Sequence, residues 1–249
     1  MLVAAPETWI ILGASSPIGR AFADEVARNG SHLILAGRDI DDLNATAAHL
    51  QIVTASTVEV YPFDAADLAS HARAAQEWSQ RPGRLNVVLL FASMPEQKDM
   101  DASPDLALHC IAATYAGAVS ILHHLAPHIE ARKAGTIIGF GSVAGDRGRL
   151  KNYIYGSAKA GLHTYLAGLR NRLARSGAHV LTAKPGFVDT AMTWGAPGVF
   201  LVASPEMVAK TCLSAARRKR NVCYVPWFWS PIMLIIRLVP EAIFKRLSI

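Results

Sequence analysis

Tyr155 and Lys159, four residues apart in Tyr155-Gly-Ser-Ala-Lys159, are the side chains of this 249-residue chain best suited to chemistry. On a helix the i, i+4 spacing places phenol and ammonium on one face. A desolvated lysine cation beside a phenol favours the phenolate and brings its pKa down from about 10 toward the working range. Tyr155 then becomes a proton donor for a carbonyl oxygen as hydride arrives at the carbon. Lys159 can also hold the ribose hydroxyls of a nicotinamide cofactor. Ser142, ahead of both, would bind and polarise the same carbonyl. Alone, Tyr-x3-Lys is common on helix surfaces. Joined to Ser142 and to a glycine turn near the N-terminus, it reads as a reductase centre.

That turn is Gly13-Ala14-Ser15-Ser16-Pro17-Ile18-Gly19, between a short β-branched run and a helical pattern. Glycine permits the sharp bend, and N–H groups exposed at a helix N-terminus attract phosphate. Ser15 and Ser16 can add hydroxyl donors, although an ordinary strand–helix turn has the same composition. The second strand ends in Ala36-Gly37-Arg38-Asp39. An acid there would grip ribose hydroxyls, whereas Arg38 offers a fork to a 2′-phosphate. NADP(H) is therefore expected, with NAD(H) left open by Asp39 and a solvated Arg38 as the bland alternative. Asp64, after the third strand, either accepts a hydrogen bond from an adenine amino group or caps a helix. Ala92 and Pro185-Gly186 follow later strands, at the sheet edge where open α/β sheets gather ligands.

The elements that position these residues alternate along the chain. Short apolar runs at 8–12, 32–36, 57–61, 85–91, 135–141 and 178–183 read as buried parallel strands. Helical patterns after Arg20 to Asn29-Gly30 and near 40–50, 66–80, 104–132 and 152–176 separate them. Such alternation implies an α/β fold, a doubly wound parallel sheet with helices on both faces and one core. Residues 1–206 are expected to form the NADP(H)-binding Rossmann domain and 207–249 a C-terminal basic and aromatic segment. An apolar share of 51% with 18% charged residues excludes disordered, collagenous and coiled-coil chains. Cys110, Cys212 and Cys223 are far apart and show no ligand spacing. Adjacent His123 and His124 point about 100° apart on a helix, so no metal site is expected. Met1–Pro6 lacks a basic n-region, so no signal peptide is expected and a cytoplasmic, reducing location fits.

A net charge of +6 could suggest nucleic acid, but residues 207–249 hold eight basic residues and one acid. The body is close to neutral and carries no basic stripe, so no nucleic-acid partner is expected. The tail places Arg217-Arg218-Lys219-Arg220 before an apolar run, 222–240, that contains three prolines, Trp227 and Trp229. A spanning helix needs about 20 unbroken apolar residues. An interfacial anchor through 217–249 suits this composition better, at the inner face of the cell membrane. A last strand, a lid over the substrate or a homo-oligomer surface is the alternative.

Gly13 to Gly19, Ser142, Tyr155-x3-Lys159 and Lys184-Pro-Gly-Phe-Val-Asp-Thr190 together resemble the short-chain dehydrogenase/reductase family, in order, over residues 8–193. The resemblance implies a Rossmann fold, a nicotinamide cofactor, Tyr155 as acid/base, and Val188 and Thr190 against the nicotinamide end. This chain departs from the family pattern at Leu12, at Pro17, and at Leu90-Phe91-Ala92-Ser93 in place of Asn-Asn-Ala-Gly. Thr114 stands where the family's helix asparagine completes a catalytic tetrad, and a threonine cannot bridge as an amide does. Asn152–Leu162 and Arg237–Ile249 are most similar to the decaprenylphosphoryl-2-keto-pentose reductases within that family. That implies a keto-sugar on a polyprenyl phosphate, or another lipid ketone, as substrate. A small-molecule alcohol or ketone, and a non-catalytic NADP(H)-sensing or scaffolding protein, are the other readings.

Overall fold

The computed structural model describes residues 6–190 and 201–247. Its first half runs β1 (Glu7–Leu12), α1 (Pro17–Ala27), β2 (His32–Gly37), α2 (Ile40–Val53), β3 (Val58–Pro62), α3 (His71–Trp78) and β4 (Arg84–Leu89). Two short helices, α4 (Gln97–Ala102) and α5 (Pro104–Ile111), precede α6 (Gly117–Arg132). Then come β5 (Thr136–Phe140), α7 (Tyr153–Ala174), β6 (His179–Pro185), α8 (Pro205–Arg217), β7 (Val222–Val225), α9 (Trp229–Leu238) and α10 (Glu241–Phe244). The strands form one parallel sheet in the order β3-β2-β1-β4-β5-β6-β7. Strand order reverses between β1 and β4, so their C-terminal ends open the crevice typical of doubly wound sheets.

Strand alternation divides the core into two layers. Trp9 and Ile11 of β1 pack with Phe22 and Val26 of α1 and Val208 and Cys212 of α8. Ile10 and Leu12 point the other way, toward Trp78 of α3, Ile121 and Leu125 of α6, and Leu162 and Leu166 of α7. Burying one such side chain is worth about 1.5–3 kcal/mol. On α7 the buried positions include Tyr155, Lys159, Leu162, Leu166, Leu169 and Leu173. The reactive pair thus rides on the helix's inward stripe.

The structure departs from the sequence expectations at several elements. The helix expected over 104–132 is divided by a π-helical segment, Ala112–Ala116. Leu122, Leu125 and Ile129 are fully buried in the core, so this apolar stretch is an interior helix. The helix expected over 66–80 is a 3-10 turn, Leu68–Ser70, followed by α3. Residues 207–225 do not stand apart from the Rossmann body, because α8 packs into the core and β7 pairs with β6. What lies beyond the sheet starts at Pro226.

Candidate active site

The glycine turn is built for close backbone approach. Gly13 has φ +85°, and a Cβ on Gly19 would lie 2.5 Å from the Gly13 carbonyl oxygen. Pro17 occupies the first helical turn, where its missing N–H costs nothing. Ser16 caps α1: its Oγ accepts from Gly19 N at 3.1 Å and donates to the Gly13 carbonyl at 2.7 Å. Its hydroxyl proton is therefore committed to the turn, and Ser15 is the hydroxyl left to face a ligand. Ile18 lies in the first turn of the same helix, half-buried against the core.

A cleft of about 290 Å³ opens from this turn across the ends of β1, β2 and β4. Gly13, Ser15, Ser16, Arg38, Asp64 and Ala92 all line it. Arg38 is exposed at the rim. Asp39 caps α2, its Oδ1 accepting from Asp42 N at 3.1 Å. The acid that could have competed for ribose hydroxyls is therefore turned to the helix. Asp64 forms a local turn instead of a helix cap, with Oδ1 accepting from Ala66 N at 2.9 Å. Ser93, from the segment that replaces the family's Asn-Asn-Ala-Gly, also lines the cleft, as does His109, which nothing in its sequence context singled out.

Ser142, Tyr155 and Lys159 meet at the end of β5. Ser142 Oγ accepts from Ala144 N at 3.1 Å and opens the 3-10 turn Val143–Gly145. The nearby Ser142 hydroxyl favours the ionised form of the Tyr155 phenol. Burial opposes this and wins, pushing the phenol well above its ordinary value. Lys159 is 1% exposed, and desolvation brings its ammonium down to about 7. Its Nζ donates to the Phe140 carbonyl at 2.6 Å and the Phe91 carbonyl at 2.8 Å, and lies 5.7 Å from the Tyr155 ring centre. The expectation that Lys159 lowers the Tyr155 pKa is thus corrected: in this dry pocket burial disfavours both charges. The carbonyl cage holds Lys159 by backbone atoms, which no side-chain motif could announce.

Thr114 is fully buried in the π segment. Its Oγ1 accepts from Ser93 N at 3.0 Å, and Cys110 Sγ donates to the Ser93 carbonyl at 2.9 Å. Among the described residues these contacts fasten the segment after β4, and none of them joins Thr114 to Lys159. The π segment is the place where the long helix changes register to make them, a common device at functional sites.

At the other side of the site, Pro185 ends β6, and a Cβ on Gly186 would meet Trp229 Nε1 at 1.9 Å. Val188 pairs with Ala203 in a parallel bridge, and Thr190 follows two residues later. Trp229 and Met233 of α9 pack against Val143, next to Ser142. Two arginines that the sequence alone did not single out hold α9 in place, Arg147 through its carbonyls and Arg149 through Met233 Sδ at 3.4 Å. Arg147 Nη1 donates to the Ile236 and Val239 carbonyls at 2.5 and 2.6 Å, and Nη2 pairs with Glu241 at 2.8 Å. Arg149 Nη2 donates to the Val143 carbonyl at 3.0 Å. Cations at a helix C-terminus are favourably placed. Arg147-Gly-Arg149, close behind Ser142, was the available signal.

Comparison with known proteins gives a consistent picture. A family model described as short chain dehydrogenase matches residues 7–197. An uncharacterized oxidoreductase of Mycobacterium tuberculosis is 35% identical over 239 residues, covering 96% of each chain. Another from Streptomyces coelicolor is 31% identical, over 98% of this chain and 97% of its own. Among solved structures, a bulky-bulky ketone specific alcohol dehydrogenase from Comamonas testosteroni superposes with a TM-score of 0.79 at 22% identity, over 94% of this chain and 95% of its own. A Sphingobium yanoikuyae short-chain dehydrogenase in complex with NADPH gives 0.78 at 23%, over 95% and 97%.

Proposed function

Because this chain belongs to the short-chain dehydrogenase family, we propose that it is an NADPH-dependent reductase of ketones. The observation that carries the reading is the convergence of Ser142, Tyr155 and Lys159 beside the cleft that Gly13, Ser15, Arg38, Asp64 and Ala92 line. The cleft fits a dinucleotide phosphate. It has a cradle that a Cβ on Gly19 would fill, a capped helix N-terminus, and an exposed arginine where a 2′-phosphate would lie. A reduced nicotinamide, when bound, supplies the hydride. The remaining work falls to the chain. Ser142 and Tyr155 hold the carbonyl oxygen, Tyr155 gives it the proton, and Lys159 fixes the strand ends and the ribose side of the pocket. Pro185, Gly186, Val188 and Thr190 bound the pocket from β6.

The substrate we infer is a lipid-carried ketone, with a keto-sugar on a polyprenyl phosphate as the leading candidate. Two features support this: the sequence resemblance over Asn152–Leu162 and the tail, and an apolar lid whose outer side is exposed at Leu234, Ile235 and Leu238. In this reading the outer side of that lid meets lipid at the inner face of the cell membrane. Replacing Tyr155 by Phe should lower ketone-dependent NADPH oxidation by about 10²–10⁴-fold, while NADPH still binds. A variant that turns over at the wild-type rate rejects the mechanism. Parallel assays with a lipid-linked keto-sugar, a long-chain ketone and a small ketone decide the substrate. Equal kcat/KM for all three would reject the lipid assignment.

A further inference from the structure

Behind the catalytic loop lies a charged cluster that the chemistry above does not use. The Asp146 side chain is 2% exposed, just past the turn that Ser142 opens. Its Oδ1 receives Lys184 Nζ at 2.5 Å and its Oδ2 receives the Tyr224 hydroxyl at 2.7 Å. Lys184 and Tyr224 are register partners on β6 and β7, so one carboxylate clamps two neighbouring strands. The next neighbour is His163, one helical turn beyond Lys159 on α7, with Nδ1 3.5 Å from Asp146 Oδ1.

The opposite face of that imidazole reaches the active site. Ser142 N donates to His163 Nε2 at 3.3 Å. The ring is wedged between the glycines that flank the serine: a Cβ on Gly141 would lie 2.1 Å from Nε2, and one on Gly145 2.8 Å from Cε1. A backbone N–H needs an acceptor, so Nε2 is unprotonated and the ring proton sits on Nδ1, toward Asp146. Burial and the nearby Lys184 and Lys159 cations hold the imidazolium down to about 3, against the opposing pull of Asp146. The ring is neutral throughout the working range.

We propose that His163 is a positioning residue for Ser142, and that the Asp146–Lys184–Tyr224 cluster holds it in the Nδ1–H tautomer. The proposal rests on the reductase reading. A freed Ser142 amide would be a poorly satisfied, part-buried donor, and the loop would shift to satisfy it. The serine hydroxyl would then leave its place beside Tyr155. Through Tyr224, the last strand of the sheet sets the geometry of the reacting centre.

Two substitutions separate positioning from packing. In His163→Gln the amide oxygen can take the place of Nε2, whereas His163→Leu fills similar space without an acceptor. His163→Leu should lose about 10–100-fold in kcat with NADPH affinity unchanged, and His163→Gln should stay within about threefold of wild type. Wild-type kcat in His163→Leu, or equal losses in both variants when both are folded, overturns the proposal. Nitrogen-15 spectra of wild-type His163 need neither substrate nor variant. They should show a proton on Nδ1 alone at neutral pH, and a proton on Nε2 there overturns the proposal too. A wild-type protein that reduces no ketone removes the reductase reading alone, and the spectrum then decides the tautomer by itself.

Discussion

In the proposed reading Arg38 carries the choice between the two nicotinamide dinucleotides, because Asp39 has turned its carboxylate to the start of α2. A charge-assisted bond to a phosphate contributes about 1.5–3 kcal/mol. Arg38→Ser should therefore raise the NADPH KM roughly 10–100-fold and leave the NADH KM unchanged, and parallel losses for both cofactors would sink the assignment. Lys159 yields a second prediction, through linkage. Its folded pKa is lowered to about 7, while the unfolded side chain keeps its proton to about 10.4. Between those values the unfolded state binds more protons, so stability rises with pH. Cofactor-free protein should gain on the order of 1–2 kcal/mol between pH 7 and about 8.5. That is a melting-temperature rise of about 4 °C, and Lys159→Met should abolish it. A melting temperature that falls over this range in wild type, or rises equally in the variant, contradicts the buried-ammonium picture. Spacing made Tyr155, Lys159 and Ser142 legible in the sequence, since i, i+4 on a helix fixes a common face. The direction of the Tyr155 pKa was not legible. A sequence shows the neighbouring cation, but desolvation depends on what Met100, Cys110 and Ala144 do around the phenol.

At the scale of elements, α9 is held to the catalytic turn by side chains that arise far away in sequence. Arg147 satisfies carbonyls at the end of α9, and its guanidinium lies 3.7 Å over the Phe244 ring of α10. Its side chain is only 13% exposed, so the bonds to the two carbonyls are shielded from water, while Glu241 at 77% exposure adds little. Arg147→Ala should free α9 and α10 and expose 226–247 to limited proteolysis at a rate well above wild type, with the body left intact. Unchanged cleavage would show that Trp229 and Met233 suffice as anchors. Gly186→Ala tests the same docking from the other side. The new methyl must displace Trp229, an overpacking that costs about 1–3 kcal/mol, measurable by thermal melting. Neutral behaviour of Gly186→Ala would contradict the close seat. The sequence presented 222–240 as one apolar run, and composition alone cannot separate a buried edge strand from interfacial aliphatics. Pairing decided it: Val222–Val225 found the free edge of β6, and the prolines ended the strand. The π segment was equally invisible, because Ala112–Ala116 has the composition of an ordinary helix and departs from it only to let Thr114 reach Ser93.

For the molecule as a whole, the excess positive charge lies in the same C-terminal segment as a run of exposed apolar residues. The basic run Arg217–Arg220 is exposed at the end of α8, and Arg237, Lys245 and Arg246 are exposed on and after α9 and α10. Helix α9 is apolar on both sides. Trp229 and Met233 face inward, while Leu234, Ile235 and Leu238 face out at 56%, 66% and 72% exposure. Ile243 of α10, at 55%, extends the same outward apolar surface. A helix with ten residues is too short to span a bilayer, but one lying in the interface can bury its outer side while flanking cations meet anionic headgroups. Leu234→Ser/Ile235→Ser/Leu238→Ser should therefore reduce co-sedimentation with phosphatidylglycerol vesicles at least about tenfold. Raising the salt should weaken wild-type binding through the cationic share. Ketone reduction with a water-soluble substrate should persist in the triple variant, because the inward face that seats on Val143 is untouched. If the wild-type protein ignores such vesicles, the membrane assignment fails. If the triple variant instead converts a dimer to a monomer in light scattering, the outer face of α9 is a contact between two copies of this chain.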